Sequence, residues 1–226
     1  LRHTRQIVLD PNYGWYEPTR TANLIVRAGP VALLDSLAHS TPGDPDRSEQ
    51  YVRAWLAAER EWATSVEVAT DPGENSLVSA AALHRALGES YRDGDLVYTA
   101  SSLAIREQES FLPTADTDVL FLSNRGANGI DGVVASGIGA ANATGRPTTV
   151  VTGDLGFQHD LGSLALLDSP LVPVRIVIVN DNGGRIFTRL PQKESMPTEE
   201  FDALMRAPGN LDIEAAAALF QHPYRK

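Results

Sequence analysis

The chain has 226 residues, with 19 Lys+Arg against 29 Asp+Glu, a formal net charge of −10 and no cysteine. A carboxylate-rich surface lacks the basic field that gives non-specific nucleic-acid affinity, and anionic lipid repels it, so neither nucleic acid nor membrane insertion is expected. Without cysteine there are no disulfides, thiolate zinc sites, iron–sulfur clusters or thiol nucleophiles; this fits a cytoplasmic location and leaves any metal to oxygen or imidazole donors.

The start, LRHTRQIVLDP, carries neither a signal-peptide core nor an initiator methionine and reads as a chain beginning in mid-fold. Within the first forty residues, short apolar runs at 6–10 and 22–26 lie between Pro and Gly turns and predict strands joined by loops. Positions 41–48, TPGDPDRS, form a linker. A helix follows from Glu49 to Val68, with Val52, Trp55, Leu56 and Trp62 near one face. After a second break, TDPGENS, another helix begins near Ser76 with Asn75 as its N-cap. The domain boundary is placed between 66 and 76, which divides the chain into 1–66 and 67–226.

Beyond the boundary the pattern becomes regular. Strands are predicted at 95–101, 118–123, 148–152 and 175–180, with helical or Gly/Ala-rich segments between them. Such alternation implies right-handed crossovers and a parallel sheet, and so an α/β, doubly wound domain. The run 174–179, VRIVIV, reads as a strand covered on both faces. Tyr224-Arg225-Lys226 ends the chain where a further strand is due.

Ligands of such sheets bind outside the carboxyl ends of the strands, so the informative residues are those just past each run. Ser101 to Arg106 follow the first strand, and SNRGANGIDG (123–132) follows the second. The latter is glycine-rich and, taken alone, reads more readily as a packing turn than as a phosphate cradle. Gly153-Asp154-Leu155 follows the third and Asn180-Asp181-Asn182-Gly183-Gly184 the fourth. Alone, Asp154 is a helix cap and NDNGG a turn. As a pair one crossover apart they bring two carboxylates to neighbouring strand ends, a hard-oxygen donor set suited to Mg²⁺ or Mn²⁺ with a diphosphate.

These motifs resemble the thiamine diphosphate enzymes. Within them, SNRGANGIDG, GDLGFQHDLGSLALL and NDNGGRIFTRLP resemble the 2-succinyl-5-enolpyruvyl-6-hydroxy-3-cyclohexene-1-carboxylate synthases of menaquinone biosynthesis over residues 75–220. The resemblance implies a thiamine diphosphate-binding fold at 67–226, preceded by the tail of a central α/β domain and a linker helix at 1–66. It implies thiamine diphosphate and Mg²⁺ (or Mn²⁺) as cofactors, with Asp154, Asp181 and the Gly183 carbonyl as metal ligands. Gly153, Leu155, Ile130, Ile186, Phe187 and Leu190 join Asp154, Asp181 and Gly183 around the cofactor. Asp181 departs from the usual Asn, and two carboxylates neutralise a dication more fully, leaving it less attractive to diphosphate. Ser102, Arg106 and Arg125 match positions that contact the dicarboxylate substrates, 2-oxoglutarate and isochorismate, and guanidinium forks suit carboxylate. Arg185 and Arg189 are read as surface side chains. The implied reaction is decarboxylation of 2-oxoglutarate and addition of the succinyl unit to isochorismate.

The family's activating glutamate comes from an N-terminal domain of the partner subunit in a homodimer or homotetramer. This chain is therefore expected to contribute no catalytic residue and to be inactive alone. Two other readings stay open: a different thiamine diphosphate lyase, such as an acetolactate-synthase-like decarboxylase, and a cofactor-binding or subunit-interface module.

Overall fold

Two units divide the chain, Leu1–Trp62 and Ala63–Lys226. The computed structural model describes residues 4–12, 14, 17–40, 45–69, 79–113, 116–124, 129–168, 171–207 and 209–226. In the first unit, β1 (Ile7–Leu9) pairs in parallel with β2 (Leu24–Val26), Ile7 opposite Leu24. Both strands fall where the apolar runs predicted them. The rest of the first forty residues differs from expectation, because Pro30–Ser40 is a helix, α1. Its proline opens the helix at the position where a missing N–H costs nothing, so the residue read as a breaker is a start signal. A second proline does the same for α2 (Pro45–Ala69), which begins four residues earlier than Glu49. Val52, Trp55, Leu56 and Trp62 lie on α2, but each is at least half exposed, and Trp55 meets only the edge of Tyr51 among ring partners of the described residues.

The second unit opens with α3 (Ala80–Ser90), whose N-cap is Ser79, its hydroxyl accepting from the Ala82 N–H at 3.1 Å. That start lies four residues beyond Ser76, and the expected cap, Asn75, lies outside the described residues. Then come β3 (Leu96–Thr99), α4 (Leu103–Phe111), β4 (Leu120–Ser123), α5 (Val133–Thr144), β5 (Thr148–Gly153), α6 (Asp154–His159), a 3₁₀ helix at Leu161–Asp168 and β6 (Val174–Val179). A 3₁₀ turn at Ile186–Arg189 leads into α7 (Gln192–Ser195), α8 (Thr198–Met205) and α9 (Ile213–Leu219).

The four strands are parallel in the order β4-β3-β5-β6. The chain steps from β3 outward to β4, then crosses back to β5 on the other side of β3. Right-handed crossovers in opposite directions put their helices on opposite faces. In agreement, α4 packs with α3, whereas α5 packs with α6 and the Leu161–Asp168 helix. The sheet is doubly wound, and its switch point lies between β3 and β5.

The two central strands are buried, Leu96, Val97, Val150 and Val151 completely. Leu87, Tyr91 and Ala104 cover part of this core, and Val134, Ile138, Phe157 and Leu164 form a second cluster. Gly137 lets α5 lie close to the sheet, since a Cβ there would collide with Val150. The buried carboxylate of Asp160 accepts from Ala135 N–H at 2.9 Å and so satisfies the first turn of α5. β6 departs from expectation: it is an edge strand, half-buried, with Arg175 exposed. Its run, apolar at every position but Arg175, had suggested cover on both sides, but with β5 on one flank and no strand on the other among the described residues, only part of each side chain is shielded.

Candidate functional site

The crevice between β3 and β5 is bounded by what leaves each strand. At the end of β3, the Ser101 hydroxyl donates to the Asn124 carbonyl at 2.7 Å, tying this loop to the end of β4. The next residue, Ser102, has φ +84°, which is costly for a residue with a Cβ and is stored where surrounding contacts enforce it. Arg106, one helical turn on, donates from Nη1 to the Ser102 carbonyl, so these two sequence-nominated residues are neighbours. Arg125, the third, lies outside the described residues.

At the end of β5, Gly153 is extended and Asp154 begins α6 with a nearly buried carboxylate, 6% exposed. Its Oδ1 accepts from Leu155 N–H at 2.9 Å and its Oδ2 from Gly183 N–H at 2.8 Å. The second bond joins the two motifs directly across 29 residues, because β5 and β6 are neighbours in register, Gly153 opposite Val179. Asp154 does not cap α6 through its side chain; that helix has Gly153 at the cap position with no side-chain bond.

The NDNGG turn is built on three successive positive φ angles: Asn182 at 63°, Gly183 at 111° and Gly184 at 67°. Such a run aims consecutive N–H groups inward, a concavity for anionic oxygen. Here side chains fill it. Asp181 accepts from Gly184 N–H at 2.9 Å and Arg185 N–H at 3.0 Å, and the Asn180 side chain accepts from Asn182 N–H at 2.9 Å. A Cβ at 184 would also meet the end of the Leu155 side chain at 2.7 Å, so any larger residue there would have to displace it. Arg206, at the end of α8, donates to the Asn182 carbonyl at 3.1 Å, and Gly209 is so close to Asp154 and Gly183 that a Cβ there would stand 3.2 Å from Asp154 Oδ2.

Among the apolar positions nominated from sequence, Ile130 is 38%, Phe187 45% and Leu190 39% exposed, and no residue of the Ile186–Arg189 turn is buried. Arg189 is a surface side chain, as expected, 58% exposed, but it is paired: its Nη2 lies 2.7 Å from Oε1 of Glu107, a buried carboxylate on α4. Burial pushes the Glu107 carboxyl above the usual glutamate range, the Arg189 guanidinium pulls it back, and the nearby Asp181 charge pushes it up again. Glu107, Arg206 and Gly209 went unnoticed in the sequence. Glu107 sits in the charged run REQE, which looks solvated, and nothing local marks the other two.

Among the described residues no three His, Asp or Glu side chains converge on a point.

The doubly wound parallel sheet, its crevice bordered by a buried strand-end aspartate and a glycine turn, is an α/β fold consistent with that of thiamine diphosphate-binding domains. Comparison with known proteins is more specific. No protein-family model matches the chain. It is, however, 33% identical to the 2-succinyl-5-enolpyruvyl-6-hydroxy-3-cyclohexene-1-carboxylate synthase of Oceanobacillus iheyensis over 221 residues, which is 98% of this chain and 37% of that protein. The synthases of Myxococcus xanthus and Haloarcula marismortui are 34% and 35% identical, over 91% and 98% of this chain and 34% and 36% of their own lengths. The chain is similar to these synthases and spans a little over a third of their length. The similarity also extends into residues 1–65, where the motifs alone carried no resemblance.

Proposed function

We propose that the chain forms the diphosphate- and metal-binding part of a thiamine diphosphate-dependent transferase of menaquinone biosynthesis, which joins the succinyl unit of decarboxylated 2-oxoglutarate to isochorismate. The observation that carries this reading is the direct bond from Asp154 to the NDNGG turn at adjacent strand ends. Each carboxylate oxygen of Asp154 and Asp181 uses one lone pair on a backbone N–H and keeps another for a cation. With the Gly183 carbonyl they supply hard oxygen donors for Mg²⁺, or Mn²⁺, beside a diphosphate. We assign Gly153, Leu155 and Ile130 to the cofactor beside it. Bound thiamine diphosphate supplies the electron sink for decarboxylation and carbon–carbon bond formation.

The chain's own residues bind and orient. Arg106, braced on the Ser102 carbonyl, offers its remaining donors to a substrate carboxylate, with Ser102 beside it. Arg125 is the third residue we assign to substrate on the resemblance alone. Ile186, Phe187 and Leu190 present apolar surface that excludes water from the reacting centre. The acidic surface expected of a cytoplasmic protein makes such local cations necessary for admitting a dianion.

One observation favours a second reading, a cofactor-binding module without turnover of its own. Ile130, Phe187 and Leu190 remain solvent-exposed here, as they would be in a site completed by another surface, such as a second subunit of a homodimer or homotetramer.

Isochorismate loss, measured with 2-oxoglutarate, Mg²⁺ and thiamine diphosphate, tests both. Residues 1–226 alone should give no turnover, whereas the chain extended to the synthases' length should. In that longer protein Arg106→Ala should lower kcat/KM about ten- to a hundredfold with the melting temperature unchanged. Normal kcat/KM in the variant would remove Arg106 from the substrate site.

A further inference from the structure

Arg189 ends the 3₁₀ turn that leaves β6, and Glu107 lies on α4, which leaves β3. These are the two strands on either side of β5, so the Glu107–Arg189 pair spans the end of β5, where Asp154 stands. The two partners differ in how firmly they are held. α4 is fixed: Glu107 is 5% exposed, and its neighbour Gln108 accepts a hydrogen bond from the fully buried hydroxyl of Thr99 in β3. The turn is not. It buries no residue, and among the described residues its other hydrogen bonds are local: Arg185 N–H at its cap to Asp181, Thr188 N–H and hydroxyl to the Arg185 carbonyl, and Leu190 N–H to the Phe187 carbonyl. A short turn with no buried side chain and only local hydrogen bonds has little reason of its own to hold one orientation.

A buried carboxylate is retained at a cost unless its partner is in place, so Glu107 draws the guanidinium toward the sheet. Arg189 is attached to the turn that carries Ile186 and Phe187, and the turn moves with it. The charge of Asp181 lies near enough to Glu107 to disfavour a second anion there, which makes the cation's presence more necessary.

We propose that Glu107 and Arg189 form a positioning strap: the ion pair fixes the Ile186–Arg189 turn across the strand ends beside Asp154 and so keeps its apolar side chains in register with the cofactor site. The second half of this statement rests on the cofactor reading above; the first does not. Neither residue is catalytic, since each acts through the turn.

Hydrogen exchange and calorimetry on the 226-residue chain separate the two halves. In Arg189→Met, which keeps the apolar stem, and in Glu107→Gln, which keeps the shape, the amides of Thr188 and Leu190 should exchange about fivefold faster, while those of Val97 and Val150 in the central strands stay unchanged. Arg189→Lys should restore most of the protection. The double variant should be no worse than either single one, because both remove the same bond. Thiamine diphosphate titrated in Mg²⁺ should bind about fivefold more weakly to either single variant.

Unchanged exchange at Thr188 and Leu190, additive effects in the double variant, or equal acceleration of the core amides overturns the strap. Equal cofactor affinity with faster exchange overturns its link to the cofactor. If the unmutated chain binds no thiamine diphosphate at all, the cofactor reading fails, and the exchange arm still decides the strap.

Discussion

The two units are written in the same alphabet and fold to different degrees. In Ala63–Lys226, apolar strands lie between helices on both faces, and Phe201, Leu96 and Ile138 are the largest of the essentially inaccessible side chains among the described residues. In Leu1–Trp62 no described residue is buried, although α1 and α2 carry Val31, Leu34, Leu37, Tyr51, Val52, Trp55 and Leu56. An apolar stripe at helical spacing is a request for a second layer; only a sheet or another helix face turns it into a core. The central strands β3 and β5 have that layer on both sides.

The contrast can be broken most forcefully at Phe201 on α8, which is 0% exposed with the Lys193 ammonium 4.9 Å from its ring centre. Phe201→Ala should cost about 3–5 kcal/mol in denaturant unfolding of the second unit. A loss below about 1 kcal/mol would mean that α8 is not part of the folded core.

A smaller effect is expected at His84 on α3. It is 0% exposed, and neither ring nitrogen has a hydrogen-bond partner among the described residues. Burial lowers its pKa below the ordinary 6.5. The folded state therefore binds this proton less well than the unfolded chain does. Stability is unaffected above pH 6.5 and falls as the pH drops from 6.5 toward the depressed folded value. His84→Leu should raise unfolding stability at pH 7.5 by about 1–3 kcal/mol, since it removes unsatisfied polar atoms, and should flatten the loss between pH 6.5 and 5. A variant as acid-sensitive as the parent would assign that loss to other groups.

The smallest change is expected at Trp55, 63% exposed on α2. Trp55→Ala should alter stability by no more than about 0.5 kcal/mol. A cost of several kcal/mol would show that the α2 face is covered in solution and that the contrast between the units belongs to the isolated chain.

Sequence legibility follows the same division. The strands could be read because β-branched runs between Gly and Pro turns have few other uses, and the strand-end motifs because a parallel sheet collects its ligand contacts at one edge. That reasoning brought Asp154 beside NDNGG and Ser102 beside Arg106. α1 was missed because Pro30 marks both a break and a start, and local chemistry does not choose between them. The edge position of β6 was missed because an apolar run reports hydrophobicity, not neighbours. The Glu107–Arg189 pair joins residues 82 apart through the strand order, so neither side chain shows it in its own segment.

The central claim is that Asp154 and the NDNGG turn hold a divalent cation that in turn holds a diphosphate. Calorimetric titration of thiamine diphosphate into the chain, with Mg²⁺ and then with chelator, tests it most directly. Saturable binding that requires Mg²⁺, disappears in Asp154→Ala and survives in Asp181→Asn is the predicted result. Equal affinity of parent and Asp154→Ala, with and without chelator, would contradict the account and leave Asp154 as a brace for the Gly183 turn alone.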